Sequence, residues 1–206
     1  MSKVSESTVR RLSLYLRFLE DFEEQGMATV SSEALATLGG TTSAQVRKDL
    51  SFFGSFGKLG LGYSVRELAA TLRDILGLNE SYGVVVVGAG KVGSAMVLYG
   101  GFSQRGFVVK AAYDVDPNAV GRRLNGVEVR HAERLAADLA EHSMEIGVIA
   151  TPPEAAQGVA DRLSAGGIKA ILNFAPVRLV VPEWVAVKNV NLALELEALS
   201  YAIRNR

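Results

Sequence analysis

The chain has 206 residues, 49% of them apolar and 21% charged, with 22 basic residues against 22 acidic ones. Such a composition belongs to a well-cored globular protein of one large domain or two small ones. No apolar run approaches the roughly 20 residues a membrane-spanning helix needs, and the lack of cysteine excludes disulfides, thiolate metal sites and thiol redox sensing. The charges also balance separately in residues 1–79 and 80–206, so nucleic-acid binding has to rest on local placement and not on a basic composition. The opening "MSKVSESTVRRLSLYL" mixes charge and hydroxyls through its apolar positions and is no secretory signal; a cytoplasmic protein is expected. The two histidines, His131 and His142, have no spacing partner for a metal.

Leu12, Leu16 and Leu19, with Tyr15 and Phe22, recur at steps of three and four. That predicts an amphipathic helix over about 7–24, ended by Gly26. Ser31 or Ser32 caps a short helix in "SEALATLGG", closed by Gly39 and Gly40. Thr42, with Gln45 three residues on, forms a capping box for the helix in "SAQVRKDLSFFG". Helix, glycine-containing turn, helix is the outline of a helix-turn-helix. On the reading helix Ser43, Gln45, Arg47, Lys48 and Ser51 are polar, while Ala44, Val46, Leu50 and Phe53 can pack. Arginine is the usual partner of guanine and glutamine of adenine, and lysine or serine hold phosphate. The next stretch, "SFGKLGLGYSV", alternates glycine with apolar and aromatic residues, which suits a tight β-hairpin. Directly after a reading helix such a hairpin is a wing, and it offers Lys58. Arg10, Arg11 and Arg17 add positive charge upstream, while the acidic run Glu20–Glu24 belongs on a face turned away from DNA. The helix "VRELAATLRDILG" then leads to Gly77 and the boundary "LNESYG". Residues 1–78 thus read as a winged-helix DNA-binding domain.

From Gly83 short apolar runs alternate with helical stretches. "GVVVVG" (83–88), "FVVKAAYD" (107–114), "IGVIAT" (146–151) and "IKAILNF" (168–174) read as buried parallel strands. Helices are expected near 91–99, 132–141 and 154–165. The alternation predicts an α/β domain over 79–190, a doubly wound parallel sheet of Rossmann type with right-handed crossovers. Residues 191–206 form a final helix with Leu192, Leu196, Leu199 and Ile203 on one stripe. That stripe either packs on the chain's own sheet or is donated to a second subunit.

Gly88, Gly90 and Gly93 fit G-x-G-x-x-G after a strand and at the opening of a helix, the context that gives this weak motif weight. The first glycine permits the tight turn, the second lets backbone approach a pyrophosphate, and the third allows close helix–strand packing. The helix N-terminus adds free N–H groups. Asp114 ends the next strand, where a carboxylate accepts from ribose hydroxyls and repels a 2′-phosphate, favouring NAD(H) over NADP(H). Hydride-transfer enzymes also need a proton donor or acceptor at the substrate. Here the strand-end turns "ATPPEAA" (150–156) and "NFAPV" (173–177) offer prolines, one amide and one hydroxyl, Thr151. The dinucleotide reads as a signal and the protein as no enzyme.

The blocks "QVRKDLSFFGSFGKLGLGY", "GAGKVGSA", "YDVDP", "NFAPV" and "LALELEALSYAI" together resemble the Rex family of redox-sensing transcriptional repressors, in order and over nearly the whole chain. The resemblance implies a homodimer whose C-terminal helices are domain-swapped, each reaching across the other subunit. It implies that NADH closes the dimer and releases a two-fold-symmetric, A·T-rich operator of respiration and fermentation genes, while NAD+ competes and permits binding. Carried over by position, Gly88, Ala89, Gly90, Lys91, Val92 and Gly93 would hold the pyrophosphate and Asp114 the adenosine ribose. Tyr99, Thr151, Asn173, Ala175 and Pro176 would lie along the rest of the cofactor. Arg17 and Asn191, with Leu192, Leu196 and Leu199, would form the switch and dimer contacts. Arg47 and Lys48 would face operator DNA; by residue type and place, Ser43, Gln45, Ser51, Lys58 and Arg10 are expected to face it too. Two positions depart from the pattern: Leu59 stands where the wing usually has arginine, and Asn191 where the terminal helix usually begins with aspartate. They lead us to expect weaker operator affinity or an altered switch, and operator titrations of Leu59→Arg and Asn191→Asp that changed neither would refute this. A regulator sensing a CoA thioester and a small NAD-dependent oxidoreductase are the alternatives.

Overall fold

A computed structural model of the chain describes residues 4–57 and 61–205, and the chain divides into two units, Met1–Glu80 and Ser81–Arg206. In the first, helix α1 (Glu6–Glu24) starts where the Ser5 hydroxyl accepts from the Thr8 N–H at 3.2 Å. That bond satisfies one of the donors a helix start leaves unpaired. The expected leucine stripe is the buried one, with Leu12, Tyr15 and Leu19 fully covered. Thr29–Val30 (β1) is followed by α2 (Ser32–Leu38) and α3 (Ser43–Ser51), capped by the Ser31 and Thr42 hydroxyls. Tyr63–Ser64 (β2) then leads into α4 (Val65–Ile75). Leu35, Val46, Leu50, Leu68 and Leu72 close one core with the α1 stripe.

Two local expectations change here. The capping box forms by half: the Thr42 hydroxyl accepts from the Gln45 N–H at 3.1 Å, but the Gln45 side chain turns to Asp49. The amide is drawn there by a charge-assisted bond, its Nε2 donating to a carboxylate. Ala44 is exposed, not packed. The turn of the expected hairpin lies outside the described residues; the described strand β2 pairs antiparallel with β1, Val30 opposite Tyr63. Both side chains enter the helical core, which rewards this longer-range pairing. Lys58, Leu59 and Gly60 lie outside the described residues.

The second unit runs β3 (Tyr82–Val87), α5 (Lys91–Leu98), β4 (Phe107–Asp114), β5 (Arg123–Leu124), β6 (Val127–His131), α6 (Leu135–Glu141), β7 (Ile146–Ile149), α7 (Pro153–Ala165), β8 (Ala170–Asn173), β9 (Ala186–Asn189) and α8 (Leu192–Arg204). The sheet order is β5-β6-β4-β3-β7-β8-β9, parallel apart from β5 against β6. Since β4 and β7 flank β3 on opposite sides, the strand order reverses at β3, where open α/β sheets bind ligands beyond the carboxyl ends. The valine run of β3 is continuous because both faces are covered: Val85 and Val87 enter one core, Val84 and Val86 the other.

Three strands were not expected. The β5–β6 hairpin turns on Asn125 and Gly126, both at positive φ (47° and 83°), the pair a two-residue hairpin turn favours. The strand β9 is an edge, held by its ladder to β8. In α8 no residue is buried, and Leu192, Leu196, Leu199 and Ile203 are all at least 60% exposed. The chain's own sheet therefore does not cover that stripe. Among the described residues no helix is long and apolar enough to cross a membrane.

Candidate functional site

At the end of β3 the backbone turns at Gly88, whose φ is +96°. A Cβ there would lie 2.5 Å from the Ala150 carbonyl oxygen, and one on Gly93 would lie 1.7 Å from the Gly88 oxygen. Both positions are closed to any side chain. Gly90 differs: nothing lies within 4 Å of where its Cβ would be. It occupies the cap of α5 without a side-chain hydrogen bond to the first turn, so those N–H groups keep their affinity for an anion. Lys91 and Val92 are exposed at the start of α5, and Ala89 is buried beneath the turn.

Asp114 reaches the same turn from β4. Its Oδ2 accepts from the Ala89 N–H at 2.5 Å, and its Oδ1 from the Val115 and Asp116 N–H groups at 2.7 and 2.9 Å. A carboxylate has about four lone-pair sites, so one is left for a ribose hydroxyl. Thr151, just past β7, adjoins the turn through its own backbone nitrogen. Its hydroxyl oxygen is buried and meets no partner, an arrangement expected where a ligand supplies one.

The structure thus gathers Gly88–Gly93, Asp114 and Thr151. It does not bring every expected residue to that turn. Asn173, fully buried, spends its amide on its own loop: Nδ2 donates to the Ala175 and Val177 carbonyls and to Asn189, and Oδ1 accepts from the Ala175 N–H. It shapes the loop that carries buried Ala175 and exposed Pro176. Tyr99 follows the last residue of α5, about 12 Å of helix from the glycine turn. Its ring is 61% exposed and meets Phe102 edge-on at 4.8 Å.

On α3, Arg47, Lys48 and Ser51 are exposed and Ser43 and Gln45 half-buried. Arg47 donates to the Ser32 hydroxyl at 3.0 Å, and the Ser51 hydroxyl donates to the Lys48 carbonyl at 2.8 Å. Arg10 and Arg17 on α1 are exposed, but Arg11, grouped with them in the sequence, turns inward. Its Nε and Nη2 donate to Asp49 at 2.6 and 2.8 Å. Tyr15 (3.1 Å) and Gln45 (2.8 Å) donate to the same fully buried carboxylate. Burial alone would raise the Asp49 carboxyl, but the hydrogen bonds from Arg11, Gln45 and Tyr15 prevail and hold it below the usual carboxylate range. Burial and the neighbouring carboxylate push Tyr15 up to about 12. Sequence reasoning missed this aspartate; its spacing of four from Gln45 was the available signal. Of the acidic run, Glu20 and Glu23 pair with Arg73 of α4 at 3.1 and 3.8 Å.

A helix-turn-helix unit joined to a parallel sheet with an open dinucleotide-type turn is the build of a ligand-responsive DNA-binding protein. The family model "Putative DNA-binding protein N-terminus" matches residues 3–51 and the model "CoA binding domain" residues 79–177. The chain is 47% identical over 206 residues to the redox-sensing transcriptional repressor Rex of Syntrophomonas wolfei, covering 99% of this chain and 98% of that protein. It is 48% identical over 202 residues to Rex of Carboxydothermus hydrogenoformans, covering 98% and 97%. Among solved structures it is similar to RSP in complex with β-NAD+ and operator DNA, at 38% identity and a TM-score of 0.93, covering 100% of this chain and 94% of that one. It is also similar to RSP with β-NADH, at 37% identity and a TM-score of 0.90, covering 100% and 96%. The chain belongs to the Rex family of redox-sensing transcriptional repressors.

Proposed function

We propose that this protein represses transcription from a two-fold-symmetric operator and reads the NADH/NAD+ balance, NADH releasing it from DNA and NAD+ permitting binding. The observation that carries the ligand assignment is the glycine turn, locked at Gly88 and Gly93 and open at Gly90. There Gly88–Gly93 hold the pyrophosphate against the start of α5, Asp114 takes a ribose hydroxyl with its remaining lone pair, and the Thr151 hydroxyl gains the partner it lacks. Tyr99, Ala175 and Pro176 lie toward the nicotinamide, with Asn173 shaping their loop. The RSP complexes with β-NAD+, operator DNA and β-NADH support the same assignment. No acid–base group is assigned beside the ring, so the cofactor acts as a signal and not as a hydride donor.

The reading face is Ser43, Gln45, Arg47, Lys48 and Ser51, with Arg10 and Lys58 beside it. The working form is a cytoplasmic homodimer in which residues 1–78 bind DNA, 79–190 bind the dinucleotide and α8 docks on the second subunit. The exposed Leu192, Leu196 and Leu199 stripe supports that docking. Arg17 and Asn191 then belong to the contacts that change with the ligand. In the structure Asn191 Oδ1 caps α8 by accepting from the Ala193 N–H at 3.0 Å, a role open to aspartate and asparagine alike.

The test is fluorescence anisotropy of a labelled, A·T-rich, two-fold-symmetric operator. Release by NADH at concentrations where NAD+ leaves the complex intact is expected; a shift from about 99% bound to about 99% free requires roughly 10⁴-fold preference of NADH for the closed form. Release by CoA but not by NADH would replace the ligand, and oxidation of NADH by a carbonyl substrate would make the protein an enzyme.

A further inference from the structure

We propose that Asp49 fixes the side-chain amide of Gln45 so that Gln45 reads one adenine in each operator half-site, which makes Asp49 a positioning residue for base recognition. This rests on α3 being the DNA-reading helix. Gln45 and Asp49 stand one turn apart on α3, and Gln45 Nε2 donates to Asp49 Oδ1 at 2.8 Å. An ionised carboxylate can only accept, so it determines which end of the amide faces it. Asp49 cannot swing away. It is fully buried, Arg11 grips both of its oxygens, and the Tyr15 hydroxyl holds Oδ2.

A surface glutamine ordinarily samples many rotamers and both amide orientations. Here that freedom is removed before DNA arrives, which lowers the ordering cost of recognition. The amide keeps one N–H and the lone pairs of Oε1. One donor beside one acceptor complements the major-groove edge of adenine, where N7 accepts and N6 donates. Guanine offers two acceptors there, so O6 would face Oε1 with no proton between them. Gln45 is also the third residue of α3, and residues at the start of a recognition helix are those that reach base edges.

The experiment is selection from a library of duplexes with two-fold-symmetric, randomised half-sites, sequencing what the dimer retains. For the unaltered protein we expect a preference for adenine over guanine of roughly 10- to 100-fold at one position of each half-site. Gln45→Ala should erase that preference and leave the other positions as they were. Asp49→Asn should weaken the same one, because either orientation of an asparagine sets an N–H against Arg11, and one of the two also sets it against Gln45. Tyr15→Phe, which leaves Oδ1 untouched, should lower the melting temperature and keep the preference; a purely structural role for Asp49 would instead weaken all positions together. An unchanged preference in Gln45→Ala, or in folded Asp49→Asn, overturns the proposal. If Asp49→Asn does not fold, the NMR order parameter of the Gln45 amide in the unaltered protein decides: about 0.85 is expected, and a value below about 0.6 overturns it. A library from which the unaltered protein enriches no sequence would overturn the DNA-reading assignment itself, and this inference with it.

Discussion

In the DNA-binding unit the buried carboxylate of Asp49 takes close donors on both oxygens, from Arg11, Tyr15 and Gln45. In the Rossmann unit Asp138 is almost as buried, at 2% exposure, and again meets a tyrosine and an arginine. There Tyr113 and Arg130 crowd one oxygen at 2.7 and 2.8 Å, and the other takes the longer bond from Arg134 at 3.4 Å. The neighbourhoods explain the difference. Tyr113 and Arg130 face each other across the β4–β6 ladder, so main-chain bonds already fix them and Asp138 mainly seats α6. No ladder ties α1 to α3; their relative orientation depends on side chains, and the Asp49 network supplies the directional contacts. The two proposed surfaces divide likewise, since the glycine turn is built from backbone and the proposed reading face from side chains.

The largest effect should come from breaking the backbone-built site. Gly93→Ala places a methyl 1.7 Å from the Gly88 oxygen, so NADH affinity should fall more than about 100-fold, a loss on the scale of a broken special backbone position. Gly90→Ala meets no atom within 4 Å. It should leave the melting temperature unchanged and weaken NADH binding alone, as fluorescence titration would report; equal effects from both substitutions would break the distinction drawn here.

Next comes Arg11→Met, which strips Asp49 of its counter-charge. Removing one partner of a buried pair costs about 3 kcal/mol or more, to be read from urea unfolding of the DNA-binding unit. Arg130→Met should cost less, about 1.5 kcal/mol, because Arg130 is 38% exposed and Arg134 stands nearby. Equal losses in the two variants would mean that the ladder does not share the work of orientation.

The smallest effects should be those of pH. Both aspartates are held below the usual carboxylate range: burial opposes this, and donors from Arg11, Gln45 and Tyr15 at Asp49, and from Tyr113 and Arg130 at Asp138, outweigh it. A carboxyl lowered in the folded state stabilises above its unfolded value, near 4, and that contribution disappears as pH falls through the folded value. Melting temperature should therefore be flat from pH 5 to 8 and drop below about pH 4. Tyr15 and Tyr113 are raised, chiefly by burial. A group raised in the folded state stabilises below its unfolded value, near 10, and that stability is lost as pH climbs through the folded one. A second drop should begin above about pH 10 and be milder in Tyr15→Phe.

The sequence by itself determined what depends on neighbours a few residues apart. The α1 stripe, the Ser31 and Thr42 caps, the valine strand and the spacing of Gly88, Gly90 and Gly93 are local periodicities and turn requirements. The β5–β6 hairpin left only the Asn125-Gly126 turn signal, and its strands are too short to stand out by periodicity. Tertiary structure alone decided the rest. Asp49 looks like one more charge in "QVRKDL" until Arg11, 38 residues away, and Tyr15, 34 away, close over it. Nor does the glycine stretch show that β2 will pair with β1, or that Thr151 will be buried without a partner. Each follows from burial, which pools residues distant along the chain and makes a polar group expensive unless the fold, or a ligand, completes its hydrogen bonds.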